Sequence, residues 1–66
     1  MSVAKVIEII CEGDTIENAL KNGIKDVTKT VKNVKQINVK HVEAIVNKNK
    51  IASFRVNANV TFVVDN

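Results

Sequence analysis

The 66-residue sequence has no proline, tryptophan or tyrosine, and it holds a single cysteine, a single histidine, two glycines and two phenylalanines. Each shortage excludes something. One cysteine cannot close an intrachain disulfide, which fits a reducing compartment. Two isolated glycines, Gly13 and Gly23, cannot build a glycine-rich phosphate loop. A nucleophile-base-orienter assembly would have to be drawn from Ser2, Ser53, Cys11 and His41, with Ser2 at the terminus and Ser53 inside a strand pattern, so no catalytic constellation is expected. No stretch approaches the ~20 apolar residues of a membrane-spanning helix. The opening Met1–Glu8 carries charges within its apolar run and no small-residue cleavage site, unlike a secretory signal. A soluble, cytoplasmic, non-enzymatic protein is the expectation.

What remains is substantial. Hydrophobic residues make up 45% of the chain, too many for disorder by composition. At this length the chain is one domain, 1–66, near the lower limit for a self-sufficient core, and association is expected. There are no repeats, linkers or low-complexity segments.

The strongest signal is at the C-terminal end. Ala52, Phe54, Val56, Ala58, Val60, Phe62 and Val64 alternate with Ser53, Arg55, Asn57, Asn59 and Thr61, which predicts a strand over Ile51–Val64 with one buried face. Val3–Cys11 predicts another, apolar on both faces: Val3, Ile7, Ile9 and Cys11 on one, Ala4, Val6 and Ile10 on the other. So short a chain has too few elements to cover both, which again points to assembly. Cys11 is expected to pack as a small hydrophobe.

After a break at Glu12-Gly13-Asp14, Asp14 and Glu17 have capping-box spacing, and a helix is expected from near Thr15 to near Asn33. Its apolar stripe is Ile16, Ala19, Leu20, Ile24, Val27, Val31 and Val34, with Gly23 allowing close approach to the sheet. Lys21, Lys25, Lys29 and Lys32, with Lys35 beyond, read as a solvated face rather than a nucleic-acid surface, because no aromatic is left for base stacking. A second strand over Gln36–Val46 is expected to carry a bulge where its alternation weakens, and Asn47–Lys50 to turn the chain through positive φ into the last strand. The result is an α+β fold in the order β-α-β-β, with sheet order 2-3-1 and the helix on one face.

Lys5–Ile10, the helix from Asp14, the strand around Val34–Val39, the asparagine-rich hairpin, Phe54–Val56 and Val60–Phe62 together resemble the dodecin family over nearly the whole chain. The resemblance implies a three-stranded antiparallel sheet wrapped around one helix, twelve copies closing into a hollow dodecamer, and a role in binding or storing a small ligand. It also implies a flavin site between subunits, built from a stacking tryptophan and a hydrogen-bonding glutamine. By spacing, those positions fall on Gln36 and Arg55, so both signature residues are substituted. An amide has no π face, and lost aromatic stacking costs about 1–3 kcal/mol per ring, so weak or absent flavin binding is expected. Asn38 and His41 are further candidate contacts.

With Arg55 following the aromatic Phe54, the resemblance is nearer to family members associated with calcium; separately, Glu12 and its neighbouring carboxylates would offer oxygen ligands to such a cation if they meet their copies at a symmetry axis. The turn Cys11-Glu12-Gly13 departs from the family's usual polar sequence there. The alternatives to a homo-dodecameric ligand- or ion-binding protein are a dodecin that retains flavin without the tryptophan, or a nucleic-acid-binding module using the lysines. For Arg55 the competing role is a salt bridge between subunits, to Glu8 or Glu43.

Overall fold

The computed structural model describes residues 2–65. Strand β1 spans Ser2–Gly13, helix α1 Ile16–Val27, strand β2 Val34–Asn47 and strand β3 Lys50–Asp65. The three strands form one antiparallel sheet in the order β1-β3-β2, the predicted order, with β3 in the middle.

Alternation along β3 decides the layering. Val56, Ala58 and Val60 are fully buried, and they pair on one side with Cys11, Ile9 and Ile7 and on the other with Val42, Val39 and Ile37. These rows share the face on which α1 lies, because Ala19 joins Cys11, Val56 and Ala58 in the core, flanked by Ile9, Leu20 and Ile37. Two glycines seat the helix. A Cβ on Gly23 would stand 3.0 Å from Ile9 Cδ1 and 3.1 Å from Cys11 Cβ, so the helix approaches the sheet closely there, as expected. A Cβ on Gly13 would meet the backbone of Ala19 at 2.5 Å, so this residue also seats the helix. Gly13 and Glu12 do not break the strand; they extend it, paired with Phe54 and Arg55.

The helix termini differ from expectation. The N-cap is Thr15 and not Asp14: Thr15 is extended (φ −134°, ψ 166°) and its hydroxyl accepts the Asn18 N–H at 3.0 Å. The helix ends at Val27, six residues before Asn33. The Thr28 hydroxyl donates to the Ile24 carbonyl at 2.8 Å, and the next N–H groups of Lys29 and Thr30 fall back to carbonyls three residues behind. β-Branched residues and hydroxyls that bond the backbone both disfavour continuation. Asn33 then takes a left-handed φ of 61°. Its carbonyl accepts from Val63 N–H at 3.1 Å, fastening the connection to the end of β3.

At the hairpin, Lys48 and Asn49 have φ of 53° and 64°, the positive values anticipated from the asparagine-rich turn. Strand β2 shows register shifts at Val34/Gln36, Val39/His41 and Ile45/Val46, so its weak alternation does reflect bulges.

The subunit is not self-contained. Among the described residues the buried apolar core is Cys11, Ala19, Val27, Val56, Ala58 and Val60. The predicted stripe is only partly covered, Ile16 being 40% exposed. The radius of gyration is 13.7 Å, against about 11 Å for a compact chain of this length, and the long axis reaches 52 Å.

Candidate functional site

The odd-numbered residues of β3 point away from the helix, and register assigns their neighbours. Across the sheet, Arg55 stands between Glu12 and Glu43, Asn57 between Ile10 and His41, Asn59 between Glu8 and Asn38, and Thr61 between Val6 and Gln36. All four sequence-selected residues, Gln36, Asn38, His41 and Arg55, therefore share the face opposite the helix. His41 reaches it only through the irregularity after Val39, since regular alternation from Asn38 would turn residue 41 to the helix side.

The face is polar but compartmented. Gln36 and Arg55 stand opposite Thr61 and within the Arg55 row respectively, six residues apart along β3, or about 20 Å at 3.3 Å per residue. One small ligand does not bridge them within a subunit. Asn38 and His41 lie between.

Arg55 is already engaged. Its Nε donates to Glu12 Oε1 at 2.9 Å, and its Nη2 lies 2.8 Å from the same oxygen. This is a cross-strand pair inside one subunit, because residue 12 lies opposite residue 55 in the β1–β3 register. Glu8 instead binds Lys40, at 3.3 Å. Both pairs are largely solvated, a setting in which an ion pair contributes about 0–1 kcal/mol.

Two features are not anticipated from sequence. Glu12, a candidate cation ligand expected in a turn, lies in β1 as the cross-strand partner of Arg55. Asn57 carries a buried side-chain oxygen, Oδ1, with no hydrogen-bond partner, beside the row of His41 and Ile10. The available signal was asparagine at two alternate positions, 57 and 59, in the middle of a strand, where that residue is disfavoured.

Elsewhere, the Cys11 thiol donates to the Val56 carbonyl at 3.6 Å, and burial pushes its pKa up. Among the described residues no group of three or more histidine, cysteine, aspartate or glutamate side chains converges as a metal site within the subunit. Lys21 and Lys29 pair with Glu17 and Asp26 at 3.9 and 3.7 Å on the solvated side of α1 and its turn.

The family pattern described as Dodecin matches residues 3–65. The chain belongs to the dodecin family. Solved structures agree on the fold: a dodecin from Streptomyces davaonensis, 26% identical, has a TM-score of 0.91 and covers 98% of this chain and 97% of its own. A substitution variant of the T. thermophilus dodecin, 18% identical, reaches 0.92 with complete coverage of both chains. Dodecin from Streptomyces coelicolor, 17% identical, reaches 0.91 over 98% of this chain and 94% of its own. Among curated proteins, none matches the chain by sequence.

Proposed function

We propose that the chain is one domain over residues 1–66 and the subunit of a hollow homo-dodecamer, a non-catalytic cytoplasmic protein that binds or stores a small ligand or cation at subunit interfaces. The observation that carries this reading is uncovered apolar surface on both sides of the sheet. Val6 and Ile10 are 57% and 65% exposed on the face away from the helix, and Val39 and Val42 are 41% and 43% exposed on the other, where α1 lies over β1 and β3. Apolar exposure on both faces is characteristic of an element that becomes an interface.

The face bearing Gln36, Asn38, His41 and Arg55 is the proposed ligand side. Flavin affinity is weak or absent in this reading. Position 36 offers an amide where stacking needs a ring, and the Nε and Nη2 side of Arg55 is turned to Glu12. A cation such as calcium would require oxygen ligands from more than one copy, and Glu43, unpaired among the described residues, is the nearest free carboxylate on this face.

Native mass spectrometry of the purified protein tests both parts. Twelve subunits without flavin, or with metal adducts alone, is the expected spectrum. A twelve-subunit species carrying flavin would overturn the ligand assignment, and a monomer or small oligomer the assembly.

A further inference from the structure

Formal charge is unevenly distributed. Residues 25–35 contain Lys25, Lys29, Lys32 and Lys35 against Asp26 alone, a net +3. Of ten basic and seven acidic residues, six of each remain outside this stretch and cancel, so the whole +3 of the chain resides in it.

This stretch is not a helical stripe. Helix α1 stops at Val27. Lysine in the last helical turn complements the helix dipole, which accounts for Lys25, but Lys29, Lys32 and Lys35 lie beyond the helix. Lys29 and Lys32 sit on a connection that folds over the end of β3 and is held there by Asn33, whose carbonyl accepts from Val63 N–H at 3.1 Å and whose amide donates to Val63 O at 3.4 Å, and Lys35 follows as the second residue of β2. All four lysines are exposed. Among the described residues Lys29 alone of them pairs, with Asp26 at 3.7 Å, and that pair is open to solvent. An adjoining groove of about 290 Å³ is lined by Thr30, Val31, Lys32 and Asn33 against Phe62–Val64.

We propose that residues 25–35 form a nucleic-acid-binding surface that grips backbone phosphates and does not read base sequence. Lysine and threonine side chains are typical phosphate contacts. Both aromatics, Phe54 and Phe62, are half-buried and pair within the helix-side rows of the sheet, so no exposed ring is available to stack on bases. Duplex is therefore an adequate target. Every subunit carries the surface, and self-assembly would multiply it.

The test is fluorescence anisotropy with a labelled mixed-sequence duplex. Each phosphate neutralised costs about 0.9 log unit of affinity per log unit of salt, so three lysines predict a loss of roughly 10²–10³-fold between about 20 and 200 mM salt. A duplex of unrelated sequence should bind equally. Lys25→Glu/Lys32→Glu should weaken binding by about tenfold or more and flatten the salt slope. The charge-matched Lys48→Glu/Lys50→Glu, at the hairpin end of the 52 Å subunit, should bind as the parent does. No binding at low salt overturns the proposal. Equal loss in both variants would too, since net charge alone would then suffice, as would binding of a sulfated polysaccharide without binding of duplex. Native mass spectrometry of each variant separates lost assembly from lost binding, and Lys25→Gln/Lys32→Gln serves if charge reversal blocks assembly.

Discussion

The single thiol illustrates how burial sets residue chemistry. Cys11 is 7% exposed, against Val56 and Ala19, and its pKa is raised by desolvation. The folded protein therefore holds this proton to higher pH than the unfolded chain does. Its stabilising contribution is complete below the unfolded value of about 8.5 and is lost as pH rises above it. Two outcomes are expected: a thiol reagent at neutral pH labels Cys11 only on the timescale of opening, and thermal stability declines above that pH more in the parent than in Cys11→Ala. Rapid stoichiometric labelling of the native protein would show that the side chain is not sequestered. Arg55 makes the opposite point, because an exposed side chain is placed by register: Glu12 is its Cα partner and accepts from its Nε.

At the scale of the element, the β1–α1 junction is fixed by backbone contact and one hydroxyl. The Gly13 position admits no Cβ without displacing the first turn of α1 at Ala19. Gly13→Ala is expected to destabilise the fold by about 1–3 kcal/mol, the usual cost of overpacking, and Thr15→Ala by about 0.5–2 kcal/mol through loss of the cap. Asp14→Ala should cost distinctly less than Thr15→Ala. Denaturant unfolding of the three variants checks the order, and a larger loss at Asp14 would restore the cap to that residue. The spacing of Asp14 and Glu17 was legible and led to the wrong cap, because spacing alone does not say which neighbouring residue adopts the extended conformation that aims its oxygen at the helix. The β2 bulges were legible as weakened alternation. That one of them turns His41 to the face of Asn38 was not, since the position of an extra residue depends on pairing with β3.

The whole molecule is a thin, elongated subunit of 52 × 20 × 13 Å. A sheet with one helix over β1 and β3 leaves apolar side chains on both faces in water, each worth roughly 1.5–3 kcal/mol if fully buried. Ile10→Asp, on the face away from the helix, and Val42→Asp, on the helix side, are each expected to shift the protein toward smaller species in native mass spectrometry, while circular dichroism retains the strand and helix signals. Unchanged assembly in both would remove these surfaces from the interface. The exposed Arg55–Glu12 pair should matter far less: Arg55→Ala is expected to leave the assembly intact.

The sequence by itself determined the element order, the central place of β3, the buried side of that strand and the positive-φ hairpin, because these follow from period-2 alternation, loop length and residue conformational preference, all local properties of the chain. It also placed the four candidate residues on polar positions. Tertiary structure decided where the helix stops, since the connection is drawn back to Val63, and which carboxylate holds Arg55, since that is a matter of register between segments 43 residues apart. Long-range pairing brings together residues that no local pattern joins, and for that reason the face carrying the candidate site was legible while its contacts were not.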